Sequence, residues 1–178
     1  MTPNRPEIVI IAAVTRDGAL GKDGDLLYHI SADLRRFKSL TLGHPVIMGR
    51  KTFQSFPNGP LPGRLNVVIT RNKNFAYPGI KTASSLDEAV SECIGNDKIF
   101  VIGGGRIYAE ALDRAACLEL TDIDAERPDA DTFFPIYESE DWEIVEESES
   151  QTDPRAGGDY RLVTQRRVTS MSDTGAES

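Results

Sequence analysis

Apolar residues in this chain come in short, dense runs separated by polar, glycine-bearing connections. Ile8–Val14 is a nearly unbroken apolar run rich in β-branched residues, which predicts a central strand buried on both faces. Pro45–Gly49, Arg64–Arg71 and Lys98–Ile102 repeat that signature. Between them the period lengthens. Asp33, Phe37 and Leu40/Thr41 stand at three-to-four spacing and predict a helix that Ser31 can cap, with Arg35 and Arg36 on its wet side. Arg50–Phe56 reads as a helix opening directly out of a strand. Ser85-Leu86-Asp87-Glu88 is a capping box for a helix to about Cys93, and Arg106–Leu112 reads as one more helix. Strands and helices alternating across residues 8–112 imply a single α/β domain, with a central, mostly parallel twisted sheet and helices on both faces.

Further on, the pattern changes. Cys117–Ile123 alternates like a half-buried strand, and Thr132–Pro135 and Tyr160–Gln165 suggest an antiparallel C-terminal edge. Glu138–Glu149 carries seven acids around Trp142 and Ile144-Val145, the mark of one solvated face. Residues 15–27, with Gly18, Gly21 and Gly24, form a long connection of the kind that carries function and moves. The domain is expected to span 1–168, with 169–178 a disordered tail. The chain is long enough to bury one sizeable core. It has no apolar run long enough to span a membrane, and its N-terminus lacks a leader pattern, so the expectation is a cytoplasmic protein. Cys93 and Cys117 have neither metal-ligand nor disulfide spacing and read as small core residues; no metal is expected.

Charge changes the picture. A net charge of −8 argues against nucleic acid as a partner. Yet between Leu34 and Leu86 there is no Asp or Glu, against nine cations: Arg35, Arg36, Lys38, Arg50, Lys51, Arg64, Arg71, Lys73 and Lys81. Such a window in an acidic chain suits small anions. Asp33, just before it, either offsets the helix dipole or faces a pocket, where it binds or protonates a ligand. The turns Gly49-Arg50-Lys51-Thr52 and Gly103-Gly104-Gly105-Arg106 offer backbone N–H groups to phosphates, and Thr70-Arg71 ends a third strand. The carboxyl ends of strands in open α/β sheets place all three on one rim, and cations gathered for an extra phosphate favour NADP over NAD. Tyr108 stands where a Gly-x-Gly-x-x-Gly fingerprint has its last glycine, so that fingerprint is absent.

Six ordered stretches carry a resemblance. They are Ile11-Ala12-Ala13; Ala32-Asp33-Leu34 with Phe37-Lys38; Pro45–Thr52; Pro60–Asn66; Val101–Tyr108; and Leu120–Ala125. Together they resemble bacterial dihydrofolate reductase over roughly Ile8 to Gln165. The resemblance implies reduction of 7,8-dihydrofolate to tetrahydrofolate with NADPH, by a monomer that also takes antifolate-type small molecules and binds neither nucleic acid nor membrane. It makes Asp33 the acid that holds the pteridine, with Tyr28 and Thr121 orienting it through a water. Ile11, Ala12, Leu26, Phe37, Lys38, Leu61, Arg64, Ile102 and Tyr108 would complete the substrate site, with Arg64 on the glutamate tail. Ala13, Leu20 and Gly21 would touch the carboxamide. Gly49, Arg50, Lys51, Thr52, Thr70 and Arg71 would take the cofactor's phosphates and adenosine. Ile102, Gly103, Gly104, Gly105, Arg106 and Ile107 would line nicotinamide and pyrophosphate, with a cis peptide between the first two glycines. Tyr28, Leu26-Leu27 and His29 depart from commoner family residues in the gating loop, so loop closure is not carried over. His29 and His44 are expected to be surface or loop residues. The rivals are a pyrimidine reductase of flavin synthesis on the same scaffold, which Asp33 beside Phe37 and Arg64 argue against, and a non-catalytic pterin- or nucleotide-binding protein.

Overall fold

The apolar run near the start of the chain becomes the middle of a sheet. β1 (Glu7–Thr15) lies between β7 (Lys98–Gly103) and β8 (Cys117–Ile123), parallel to both. The computed structural model describes residues 5–22, 25–26, 31–154 and 158–168, with backbone alone at 25–26 and 31–33. Beyond β7 the sheet continues in parallel through β4 (Val46–Gly49), β5 (Asn66–Ile69) and β6 (Ile80–Ala83). On the other side β11 (Tyr160–Arg167) and β10 (Trp142–Glu147) add the antiparallel edge, so eight strands run β10-β11-β8-β1-β7-β4-β5-β6.

Two layers of helix cover the sheet, and strand alternation decides which residue meets which layer. Val9, Ile11 and Cys117 face α1 (Ser31–Thr41) and α2 (Arg50–Gln54), in a core with Phe53, Phe37 and Leu40. Ile8, Ile10, Val14, Leu118 and Leu120 face α3 (Leu86–Ser91) and α4 (Gly105–Leu112). Ile47, Val67 and Val101 have no exposed surface, and burying each contributes about 1.5–3 kcal/mol. The expected cap forms at Ser85, and only the return arm of the box is displaced by one residue. Ser85 Oγ accepts from the Glu88 N–H at 3.1 Å, while Glu88 Oε2 accepts from the N–H and hydroxyl of Ser84.

Several expectations need correction. Thr132–Phe133 is not part of the main edge. As β9 it pairs with β2 (Ala19–Lys22), which pairs in turn with β3 (Asp25–Leu26), so the long connection is itself a small second sheet. Asp17 holds its turn. The carboxylate accepts from Thr15 Oγ1 and from the Arg127 N–H, which together keep its pKa below the ordinary carboxylate value. β8 is buried at every position but Asp122: it is an inner strand between β1 and β11, and Arg36 of α1 reaches over Glu119 on the face that alternation would have left wet. β6 was missed for lack of an apolar run. β5 is shorter than Arg64–Arg71, which leaves Arg64 in the preceding turn. Cys93 and Cys117 are buried core thiols, and desolvation pushes them up to about 11 and about 12. His44 is a loop residue tilted against Phe100, ring centroids 5.6 Å apart. Ser31 opens α1, but its side chain, the expected tail 169–178, and Gly24, Leu27, Tyr28 and His29 lie outside the described residues.

Candidate active site

Sheet order brings the three expected turns together. β7, β4 and β5 are parallel neighbours, so Gly103–Arg106, Arg50–Thr52 and Thr70-Arg71 follow adjacent carboxyl ends on one rim. The packing there is tight at two of the glycines. A Cβ on Gly103 would lie 3.1 Å from Thr52 Oγ1, and one on Gly105 would lie 3.1 Å from Thr132 Cγ2. A Cβ on Gly49 would lie 3.7 Å from the Gly104 N, so the two turns adjoin. Gly103 has φ +140°, a backbone region that strongly favours glycine, and the Gly103–Gly104 peptide is cis, as the resemblance implied. α4 starts immediately after, with no acid in its first turn and no side-chain cap. Backbone donors and the positive helix end therefore face the rim.

Gly103→Ala combines that φ with the Thr52 contact. It is expected to weaken NADPH at least about tenfold while leaving dihydrofolate binding nearly intact. Titration of each ligand into the variant checks this, and unchanged NADPH affinity would mean the turn is not a cofactor cradle.

The residues expected to hold substrate come from α1, β1, β8 and the turn before β5. Thr121 is buried on β8 and pairs in register with Ala13 of β1. Phe37, Leu61 and Ile102 are half-buried against one core cluster, and together form an apolar wall. Asn66, almost fully buried, organises the turn that carries Leu61 and Arg64. Its Oδ1 accepts from the Leu61 N–H, and its Nδ2 donates to the carbonyls of Leu61 and Arg64, each at 2.9 Å. Arg64 donates from Nε to Pro62 O and from Nη1 to Thr41 Oγ1, both at 3.0 Å. Thr41 in turn donates to Phe37 O at 2.8 Å. The guanidinium plane is thereby tied to the last turn of the helix that carries Asp33. Burial pulls the Arg64 pKa below its ordinary value without making it a proton donor.

This matches known proteins. The family model described as "Dihydrofolate reductase" fits residues 7–167. The chain belongs to the dihydrofolate reductase family. A dihydrofolate reductase type 3 from Salmonella typhimurium is 44% identical over 160 residues, covering 90% of this chain and 98% of the relative. A dihydrofolate reductase from Neisseria meningitidis is 38% identical, covering 88% and 96%. Among solved structures, a dihydrofolate reductase from Enterococcus faecalis complexed with NADP(H) and RAB-propyl superposes with a TM-score of 0.83. It is 27% identical and covers 94% of this chain and 100% of that one.

Within this reductase the remaining expected residues fall less evenly. Gly49, Thr52, Thr70, Arg71, Gly103, Gly104, Gly105 and Ile102 share the rim, and Arg50 stacks over Phe75 at 6.0 Å beside it. Lys51 and Lys38 are exposed on their helices. Arg106 turns away along α4 to Glu110, at 3.7 Å. Leu20, Ile107, Tyr108 and half-buried Ala12 pack into the α3–α4 core. Of these only Tyr108 reaches back, donating from its hydroxyl to Ile11 O at 2.8 Å. Gly21 lies in β2, facing Leu26 and Thr132. Asp33 and Leu26 are placed by backbone only, and Tyr28 lies outside the described residues. The cationic window is broken up as well, since Lys81 pairs with Glu92 at 3.2 Å.

One expectation fails outright. Arg36 is not on the wet side of α1, but reaches the sheet and pairs with Glu119 of β8. An acid within the apolar run Cys117-Leu118-Glu119-Leu120 was the available signal, because a charge placed there needs a partner.

A separate depression of about 490 Å³ lies at the carboxyl ends of β1 and β8, lined by Val14–Gly18, Leu120, Asp122, Ile123 and Phe134–Tyr137. Strand alternation turns its Val14, Leu120 and Asp122 away from Ile11, Ala13 and Thr121.

Proposed function

We propose the following division of labour for NADPH-dependent reduction of 7,8-dihydrofolate to 5,6,7,8-tetrahydrofolate. NADPH, when bound, supplies the hydride. The observation that carries the reading is three adjacent parallel strand ends, two of them running into glycine-lined turns, next to an apolar wall from α1, the turn before β5 and β7. Asp33 holds the pteridine's amino group and ring N–H with two charge-assisted hydrogen bonds and favours protonation of the imine nitrogen. Thr121 and Tyr28 orient that carboxylate. Phe37 and Leu61 sandwich the rings, Ile11, Ala12, Leu26, Ile102 and Tyr108 shape the site, and Arg64 takes the tail's carboxylate, with Lys38 nearby. Gly49–Thr52 and Gly103–Gly105 bind phosphates, Thr70 and Arg71 bind the 2′-phosphate end, and Ala13, Leu20 and Gly21 close around the carboxamide. The same cleft accepts antifolate-type molecules, and the enzyme works as a cytoplasmic monomer.

The purified protein is expected to oxidise NADPH only when dihydrofolate is present, read as loss of reduced-nicotinamide absorbance. Oxidation driven by a pyrimidine substrate would favour the flavin-pathway scaffold, and binding of both ligands without turnover would favour a binding protein. Arg71→Ala is expected to weaken NADPH by roughly 10- to 100-fold, with little change for NADH, because one charged phosphate contact is worth about 1.5–3 kcal/mol. Equal loss for both dinucleotides would move the extra phosphate elsewhere.

A further inference from the structure

We propose that Arg36 and Glu119 form a charge-compensating pair that positions α1 and keeps either charge from biasing the protonation equilibrium of the acid at position 33. This rests on the reading of Asp33 given above.

The side chains of Arg36 and Glu119 are only 17% and 11% exposed, so two full charges are enclosed between helix and sheet. Glu119 is fully engaged. Oε2 accepts from Arg36 Nη2 and from Thr164 Oγ1 at 2.9 Å, and Oε1 accepts from the Cys117 thiol at 3.6 Å. Such a pair adds little net stability over apolar residues of the same size, but it fixes position strictly, because either partner alone is a buried, uncompensated charge. Its position in the fold gives that strictness a use. Arg36 is three residues beyond Asp33 in α1, one helical turn away. Glu119 is two residues before Thr121 on β8, and therefore on the same face. The pair thus joins the helix that carries the acid to the strand that carries its proposed orienting hydroxyl.

Position 33 lies one turn from Arg36 along the α1 backbone, so on this proposal each charge acts there and as a pair they cancel. The other charges around α1 do not duplicate them. Arg35 and Lys38 are exposed on the helix, and Arg64 is tied to Thr41. From β8, burial keeps the Cys117 thiol neutral, and Asp122 belongs to the opposite face. From β11, Arg166 pairs with Glu7 of β1 at 3.1 Å, and Glu146 of β10 lies opposite Thr164, exposed.

The test is the pH dependence of single-turnover hydride transfer, measured with thermal denaturation of each variant. Removing one charge should move the midpoint in the direction set by the charge left behind. Glu119→Gln leaves the Arg36 cation, which favours the carboxylate at 33, and should lower the midpoint by about half a unit. Arg36→Met leaves the Glu119 anion and should raise it by a similar amount. The double variant should return near the wild-type midpoint, and Arg36→Lys, which keeps the charge, should not move it. A purely structural pair predicts lower melting temperatures with unmoved midpoints, or shifts of the same sign in both single variants, and either result overturns the proposal. If Arg36→Met does not fold, the isosteric Glu119→Gln and the charge-conserving Arg36→Lys decide alone. A downward shift in the first with none in the second supports the pair, and any other outcome rejects it. Asp33→Asn separates the two layers of argument. If it retains the wild-type pH profile, the role of Asp33 falls and takes the pair with it. If it abolishes the titration while the pair variants leave the midpoint in place, only the pair proposal is lost.

Discussion

Asp33→Asn is expected to lower hydride transfer at neutral pH by on the order of 10²–10⁴-fold, while NADPH affinity stays within about twofold. The asymmetry follows from the fold. NADPH contacts are proposed on the carboxyl ends of β4, β5 and β7, whereas Asp33 belongs to α1, on the layer that packs over β1 and β8. An amide keeps the size of the carboxylate but loses its charge and one acceptor, so a cationic, protonated pteridine is no longer matched. Stopped-flow hydride transfer together with NADPH titration checks both halves. Near-normal transfer would return Asp33 to a helix-dipole role.

Arg64→Leu is expected to raise the dihydrofolate KM by on the order of 10²-fold, with a much smaller effect on kcat, since the tail carboxylate is bound alike in ground and transition states. The guanidinium is already oriented by Pro62 and Thr41 and already part-desolvated, so little ordering cost remains when the carboxylate arrives. Arg64→Lys should fall between, keeping charge without the fork. A pterin lacking the glutamate tail should bind wild type and Arg64→Leu equally. If it too loses affinity, Arg64 acts by holding α1 in place through Thr41.

Much of this was legible in the sequence because a strand buried on both faces leaves an unbroken apolar run. Ile8–Val14, Pro45–Gly49 and Lys98–Ile102 all became central strands, and the glycines that end two of them fell on the rim where backbone approach needs them. β6 has no such run. Its Ile80-Lys81-Thr82-Ala83 covers a sheet edge, where half the positions face water. The β2–β3–β9 sheet escaped for a related reason: strands of two to four residues are defined by their pairing partner and not by their own period. Arg36 was misplaced because helical spacing assigns faces by hydrophobicity, and a buried ion pair inverts that sign. Only the distant Glu119 reveals it. Asn66 has no signal of its own in the sequence, and its hold on Leu61 and Arg64 becomes visible only once the turn is closed.

Folate and nicotinamide are proposed to meet on the α1 face of the sheet, over β1 and β8, beside the carboxyl ends of β4 and β7. A crystal structure of the protein with folate and NADP⁺ tests this most directly. The account predicts the pteridine against Phe37 with the carboxylate of Asp33 on its amino edge, and the pyrophosphate over Gly103–Gly105. A pteridine seated instead among Val14, Leu120 and Tyr137, on the opposite face, would contradict it.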